Sequence, residues 1–263
     1  METPMNIFDL SGRTAVITGG NGGIGLGIAQ ALVAAGCSVS IWGRNAEKNT
    51  LAAASMAALP GKVDTRICDV SDPASVKQAM AATLDALGRV DGCFANAGSG
   101  GGGRRPFIDR TEAEWRAMFA TNLDGVFHVF QAAARHMTER ATAGDGFGRL
   151  VATSSLASIF GTARNEHYAA TKAAINALVR ALAVELARQG VTANAILPGW
   201  IKSDMTAGIM ANEKFVANVM PRIPMRRFGE PSDFGGIAVY LMSKASSYHT
   251  ADCFVIDGGY TAF

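Results

Sequence analysis

The sequence predicts an α/β fold: a doubly wound three-layer sandwich, with helices on both faces of a seven-stranded parallel sheet. Three observations lead there. Short apolar runs alternate with helical stretches of ten or more residues along the whole chain, the pattern of repeated strand–helix–strand units. Of the 263 residues, 49% are apolar and only 17% charged, enough for a large core and incompatible with a disordered chain. No linker, repeat or charge run divides the chain, so residues 1–263 are expected to form one domain.

The elements follow in order. Arg13–Thr18 reads as a buried strand, Ile24–Ala35 as a helix, Ser38–Trp42 as a second strand and the Ala-rich Ala46–Ala58 as a helix. Val63–Ile67 is a third strand. The next helix starts at Asp72-Pro73, an N-cap followed by a proline at the first helical position. Val90–Ala95 is strand four. Thr111 and Glu114 form a capping-box pattern that opens a helix reaching Glu139. Leu150–Ser154 is strand five, Asn165–Gln189 a long helix, and Val191–Leu197 strand six, closed by Pro198-Gly199. A mixed segment runs from Trp200 to Gly229, Pro231–Met242 is helical, and Cys253–Ile256 is the last strand. Crossovers between parallel strands are right-handed. Ligands of such sheets bind at the carboxyl ends of the strands, near the switch point.

Charge and composition exclude several functions. The balance of 24 Lys and Arg against 22 Asp and Glu offers no electrostatic case for nucleic acid or an anionic membrane. No run approaches the roughly 18–20 apolar residues of a membrane span. Met1–Arg13 carries Glu2 and Asp9 and lacks an apolar core segment, so no signal peptide is expected there. Cys37, Cys68, Cys93 and Cys253 form no paired motif, which is expected of reduced thiols in a cytoplasmic protein. His128, His136, His167 and His249 lack ligand spacing, and no metal site is expected.

Two patterns carry chemistry. Thr18-Gly19-Gly20-Asn21-Gly22-Gly23-Ile24-Gly25 stands between strand one and the first helix. A helix presents free N–H groups and a positive dipole end there, and glycines let the backbone close on a pyrophosphate. Tyr168 and Lys172 stand four apart on a helix and share a face. A free phenol has a pKa near 10, and a neighbouring ammonium lowers it toward the range useful for proton exchange. Ser155 lies thirteen residues before Tyr168, just past strand five, with Ser154 as its close competitor.

The wide glycine spacing, Gly19-x-x-x-Gly23-x-Gly25, with Y-A-A-T-K at Tyr168–Lys172, S-S-L-A-S at Ser154–Ser158 and N-L-D-G from Asn122, resembles the short-chain dehydrogenase/reductase family. The resemblance spans about residues 8 to 263. It implies a Rossmann-type fold and a catalytic set of Asn122, Ser155, Tyr168 and Lys172. Tyr168 would exchange a proton with a carbonyl or hydroxyl oxygen. Lys172 would lower its pKa and bind the nicotinamide ribose, Ser155 would orient the oxygen, and Asn122 would hold a water linking Lys172 to solvent. The cofactor-binding set would be Gly19, Asn21, Gly23, Ile24, Gly25, Arg44, Asp69, Val70, Asn96, Ala97, Gly98, Pro198, Gly199, Ile201 and Ser203, together with Tyr168 and Lys172. Asp257-Gly258-Gly259 matches the family's C-terminal motif.

An acid that would hydrogen-bond the 2′-OH of NAD should end strand two. Gly43-Arg44 stands there instead, and the guanidinium fork suits a 2′-phosphate. NADP(H) is therefore expected over NAD(H), although Gly22 occupies the place of the second basic residue frequent in NADP-dependent relatives. Ser99–Asp109, Leu156–His167 and a lid at 200–227 should line the substrate pocket. In the lid, Met205, Met210, Met220 and Met225 either adapt to an apolar substrate or pack the lid on the body. Arg104-Arg105 either clamp an anion or form a solvated loop. The expected substrate is a small carbonyl compound or alcohol: a ketone, sugar, steroid or secondary alcohol. Asp145-Gly146 and Val184 stand where carrier-protein reductases have basic residues, which argues against an acyl-carrier partner. A non-catalytic cofactor sensor is the reading from a different class, and it is disfavoured by the presence of both Tyr168 and Lys172. By resemblance, the two long helices and the last strand imply a homotetramer.

Overall fold

The computed structural model describes residues 6–100 and 105–262. Seven strands form one parallel sheet: β1 (Thr14–Thr18), β2 (Ser38–Gly43), β3 (Val63–Ile67), β4 (Gly92–Ala95), β5 (Gly148–Thr153), β6 (Val191–Pro198) and β7 (Cys253–Ile256). Their spatial order is β3-β2-β1-β4-β5-β6-β7. The expected doubly wound three-layer sandwich is therefore the observed one. Chain direction across the sheet reverses between β1 and β4, and the switch point lies there.

Period-two alternation distributes each inner strand between two cores. Ala15 and Ile17 of β1 face a core built on α1 (Gly23–Ala34), α2 (Ala46–Ala54) and α9 (Gly235–Met242). Val16 faces the opposite core with residues of α3 (Pro73–Leu87), α5 (Gly125–Thr142) and α6 (Glu166–Leu186). Both faces of the central strands are dry, which is why those strands read as continuous apolar runs. The edge strands β3 and β7 are only partly buried.

Local signals placed the helix ends. Asp72 accepts from Ala74 N at 3.0 Å, Pro73 opens α3, and Gly88 closes it at φ +76°. The Thr111–Glu114 capping box opens α4 (Glu112–Phe119) with both reciprocal hydrogen bonds formed. Beyond shifts of one to four residues at several element ends, as in β5 at Gly148–Thr153 rather than Leu150–Ser154, two helices differ from expectation. Helix α2 stops at Ala54, four residues early. The single helix expected from Thr111 to Glu139 is divided into α4 and α5 by a π-turn at Ala120–Asp124. The wider turn carries an extra residue, and Asn122 inside it is fully buried.

The segment after β6 leaves the body and returns to its own root. It contains α7 (Asp204–Met210) and α8 (Glu213–Val219), and a bridge pairs Ile201 with Gly229. Val219, Ile223 and Phe228 form a small core of its own, with Trp200, Met210, Phe215 and Met220 packed against it. Among the described residues, no helix is long and apolar enough to cross a membrane.

Candidate active site

A cleft of about 270 Å³ opens at the carboxyl ends of β1, β4, β5 and β6. Its lining joins the glycine turn, the Asn96–Ser99 strand end, Ser155, Tyr168, Lys172 and the first residues after β6. Fourteen positions expected from the sequence border it: Gly19, Asn21, Gly23, Ile24, Asn96, Ala97, Gly98, Ser155, Tyr168, Lys172, Pro198, Gly199, Ile201 and Ser203. Gly25, Arg44, Asp69, Val70 and Asn122 stand behind or beside it.

The glycine turn is shaped by contacts that side chains would prevent. Gly19 and Gly23 have φ of +63° and +50°, a region that favours glycine. A Cβ on Gly25 would overlap Gly19 O and Asn96 Nδ2. The N-cap of α1 is Gly22, with no side-chain hydrogen bond, and the first turn holds no acid. The first N–H groups of α1 thus lack side-chain partners and face the cleft, which fits a phosphate. Asn96 ties the strand ends together: Nδ2 donates to Thr18 O at 3.2 Å and Oδ1 accepts from Thr153 Oγ1 at 3.0 Å.

The side of the cleft beside β2 and β3 is organised by a residue absent from the expected set. Asn49, buried on the inner face of α2, donates to Gly43 O and Arg66 O at 3.0 Å each. It accepts from Asn21 Nδ2 at 2.6 Å, joining the glycine turn to the ends of β2 and β3. A polar residue on the apolar face of an Ala-rich helix was the available signal. Asp69 Oδ1 accepts from Ser71 N and Oγ, and these bonds hold its carboxyl below the usual range. Arg44 is exposed at the end of β2, and its charge also acts on Asp69.

The end of the cleft that holds Ser155, Tyr168 and Lys172 is partly buried. Ser155 caps the short turn Leu156–Ser158, its Oγ accepting from Ala157 N at 3.1 Å. Ser154 is buried and donates to Lys172 O at 3.0 Å, so the competing serine anchors α6 to β5 instead. Lys172 Nζ donates to Thr153 O at 2.7 Å and lies 5.6 Å from the Tyr168 ring centroid. Burial pulls the Lys172 ammonium down to about 8. Burial pushes the Tyr168 phenol up from its ordinary value, and a hydrogen bond with Ser155 partly offsets this. Desolvation dominates, and Lys172 is itself desolvated and directed at a carbonyl.

Asn122 has both ends of its amide committed. Oδ1 accepts from Ser99 N at 2.7 Å and Nδ2 donates to Ser99 O at 3.0 Å. The π-turn aims this amide at the β4 end, a feature that helical periodicity does not register. Gly98 lies between the two groups: a Cβ there would come within 3.3 Å of Asn122 Oδ1 and 3.7 Å of Lys172 Nζ.

On the open side, Ser203 caps α7 and pairs with Thr206 Oγ1 at 3.1 Å. Thr206, Asp204 and Lys48 also line the cleft and were not anticipated as cofactor-side residues. Of the four methionines, only Met205 borders the cleft. Met210 and Met220 pack inside the returning segment, and Met225 is exposed. Arg105 pairs with Glu114 at 3.5 Å; Arg104 lies outside the described residues.

A glycine-turn cleft at the switch point, with a Ser, Tyr and Lys at its floor, defines a nicotinamide-dependent oxidoreductase of alcohols and carbonyls. A family model described as enoyl-(acyl carrier protein) reductase matches residues 19–261. The 3-oxoacyl-[acyl-carrier-protein] reductase FabG of Chlamydia pneumoniae is 34% identical over 96% of this chain and 98% of its own. A short-chain type dehydrogenase/reductase from Mycobacterium marinum superposes with a TM-score of 0.91 at 34% identity, covering 98% of each chain. A gluconate 5-dehydrogenase from Burkholderia cenocepacia, solved with NADP and tartrate, does so at 0.90 and 33%, over 97% of this chain and 98% of that one. The chain belongs to the short-chain dehydrogenase/reductase family.

Proposed function

We propose that the protein is an NADP(H)-dependent oxidoreductase that interconverts a carbonyl and a secondary alcohol of a small molecule, with Tyr168 as acid/base. The convergence of Ser155, Tyr168 and Lys172 on the floor of the glycine-turn cleft carries this reading. When bound, the nicotinamide supplies or accepts the hydride. Ser155 Oγ orients the substrate oxygen. Tyr168 gives its proton to that oxygen in reduction and takes it back in oxidation. The raised Tyr168 pKa keeps the phenol protonated for reduction, and the Lys172 ammonium balances the phenolate left behind. Asn122 holds Ser99 and Gly98 beside Lys172 and is the position for a water leading to solvent. Gly19, Asn21, Gly23, Ile24 and Gly25 hold the pyrophosphate. Asp69, Val70, Asn96, Ala97 and Gly98 flank adenine and ribose, and Pro198, Gly199, Ile201 and Ser203 border the nicotinamide.

Arg44 takes the 2′-phosphate, an arrangement supported by the absence of an acid at Gly43-Arg44. Fluorescence titration of the purified protein with NADPH and NADH tests this. Wild type is expected to prefer NADPH, and Arg44→Ala to weaken NADPH by about tenfold with little effect on NADH. Equal losses for both nucleotides would remove the 2′-phosphate assignment, leaving an NAD(H)-dependent alcohol, sugar or steroid dehydrogenase. The substrate is a free small molecule rather than a carrier-bound one. Asp145, at one of the places where carrier-protein reductases have basic residues, is paired with Arg89 and Arg140 at 3.1 and 3.0 Å.

Residues 200–227 act as a substrate lid, a role supported by their return to their own root. The protein assembles in the cytoplasm as a homotetramer. Phe127 on α5 and Val184 on α6 are 47% and 82% exposed, and Val255 on the edge strand β7 is 42% exposed. Two-fold pairing would cover these surfaces. Light scattering on a gel-filtration peak is expected to give four times 27.4 kDa; a stable monomer would refute the assembly.

A further inference from the structure

Lys48 stands in the first turn of α2, and Asp204 is the first residue of α7. Their side chains meet at 2.6 Å across the mouth of the cleft, so one ion pair joins the adenosine side to the lid. The other pairs of the lid, Lys202–Glu230 and Arg227–Asp233, tie the segment to its own root. Among the described residues, Lys48–Asp204 is the ion pair that spans the opening.

The pair is 55% and 88% exposed, and such pairs contribute little to stability. Its position is the informative feature. Lys48 shares the cleft lining with Asn21, Gly22 and Gly23, beside the uncapped N–H groups of α1. Arg44 lies one helical turn before it in the chain. Lys48 therefore stands at the corner where phosphate charge would enter, while its hydrogen bond, and then its charge, hold the Asp204 carboxyl below the usual range. A phosphate offers more negative charge and more acceptor oxygens than a carboxylate. It outcompetes an exposed carboxylate for the same ammonium.

We infer that Lys48 is a ligand for a cofactor phosphate and that Asp204 competes for it. Entry of the dinucleotide transfers the ammonium from the carboxylate to the phosphate and releases the start of α7, next to Ser203, for closure over the nicotinamide. Lys48 thereby supplies the second positive charge that the glycine turn lacks at Gly22. This inference rests on the proposed nicotinamide cofactor.

Fluorescence titration and thermal-shift measurements on wild type, Lys48→Met and Asp204→Asn test it, each with NADPH and NADH at low ionic strength. Both side chains are exposed, so both variants are expected to fold; circular dichroism checks this. Asp204→Asn is expected to bind NADPH about two- to fivefold more tightly, because the competitor is gone. Lys48→Met is expected to bind NADPH about tenfold more weakly. A loss confined to NADPH assigns Lys48 to the 2′-phosphate, and an equal loss with NADH assigns it to the pyrophosphate. Wild-type affinity for both nucleotides in Lys48→Met, or no tightening in Asp204→Asn, overturns the inference while leaving the cofactor reading intact. A wild-type protein that binds neither nucleotide overturns both.

Discussion

Tyr168→Phe is expected to lower turnover by about a hundred- to ten-thousandfold, the range for losing a positioned acid or base. The substitution removes one oxygen and keeps the ring in place. Its stability cost is that of the hydrogen bond to Ser155, about 1 kcal/mol. NADPH affinity should stay within a few-fold of wild type, because the phosphate cradle is made by the glycine turn and not by the phenol. Steady-state rates on a ketone panel, beside a nucleotide titration of the same sample, separate the two effects. Activity within tenfold of wild type would sink Tyr168 as proton donor and move the search to Ser155.

Under the proposed mechanism, Lys172→Met should cost about a hundredfold or more in turnover, since the phenolate formed on proton delivery loses the Lys172 ammonium beside it. The pH profile carries more information. Burial brings the Lys172 ammonium down to about 8, so in wild type the rate of carbonyl reduction should fall as pH rises through about 8. In Lys172→Met that limb should be missing. Stability has the opposite sign. The folded value lies below the unfolded value, so between about pH 8 and the ordinary lysine range the unfolded chain binds the extra proton. The unfolding free energy of wild type should therefore rise with pH across that window, relative to Lys172→Met. A reduction profile in wild type that is flat from pH 7 to 9 would refute the assignment.

The legible parts of the chain share one property: their signals are local. The central strands were readable because parallel strands buried on both faces are continuous apolar runs, as in β1 and β6; the partly buried edge strands β3 and β7 also matched residue for residue at Val63–Ile67 and Cys253–Ile256. Helix starts at Asp72 and Thr111 were readable because caps are short-range hydrogen bonds. The glycine turn, Ser155, Tyr168 and Lys172 were readable because each sits next to a strand end or repeats on one helix face. Asn122 was found as a residue but not as a geometry. The π-turn that holds it answers to Ser99 on a different element, and no periodicity within 111–139 encodes that distant demand. The same holds for Asn49, whose partners Asn21, Gly43 and Arg66 lie on three other segments.

Sequence alone thus settled the element order, the class of fold and the place of the glycine turn, and it put Ser155, Tyr168 and Lys172 forward as candidates, all consequences of short-range sterics and burial periodicity. Both serines line the cleft, and tertiary structure decided which hydrogen bonds each of them makes. It placed Ser154 against Lys172 O and left Ser155 free to reach Tyr168. It also buried the phenol, and that burial, which pushes the Tyr168 pKa up, depends on everything packed around the ring. The Lys48–Asp204 pair joins residues 156 positions apart. Only the folding of the lid across the sheet end brings those two charges together.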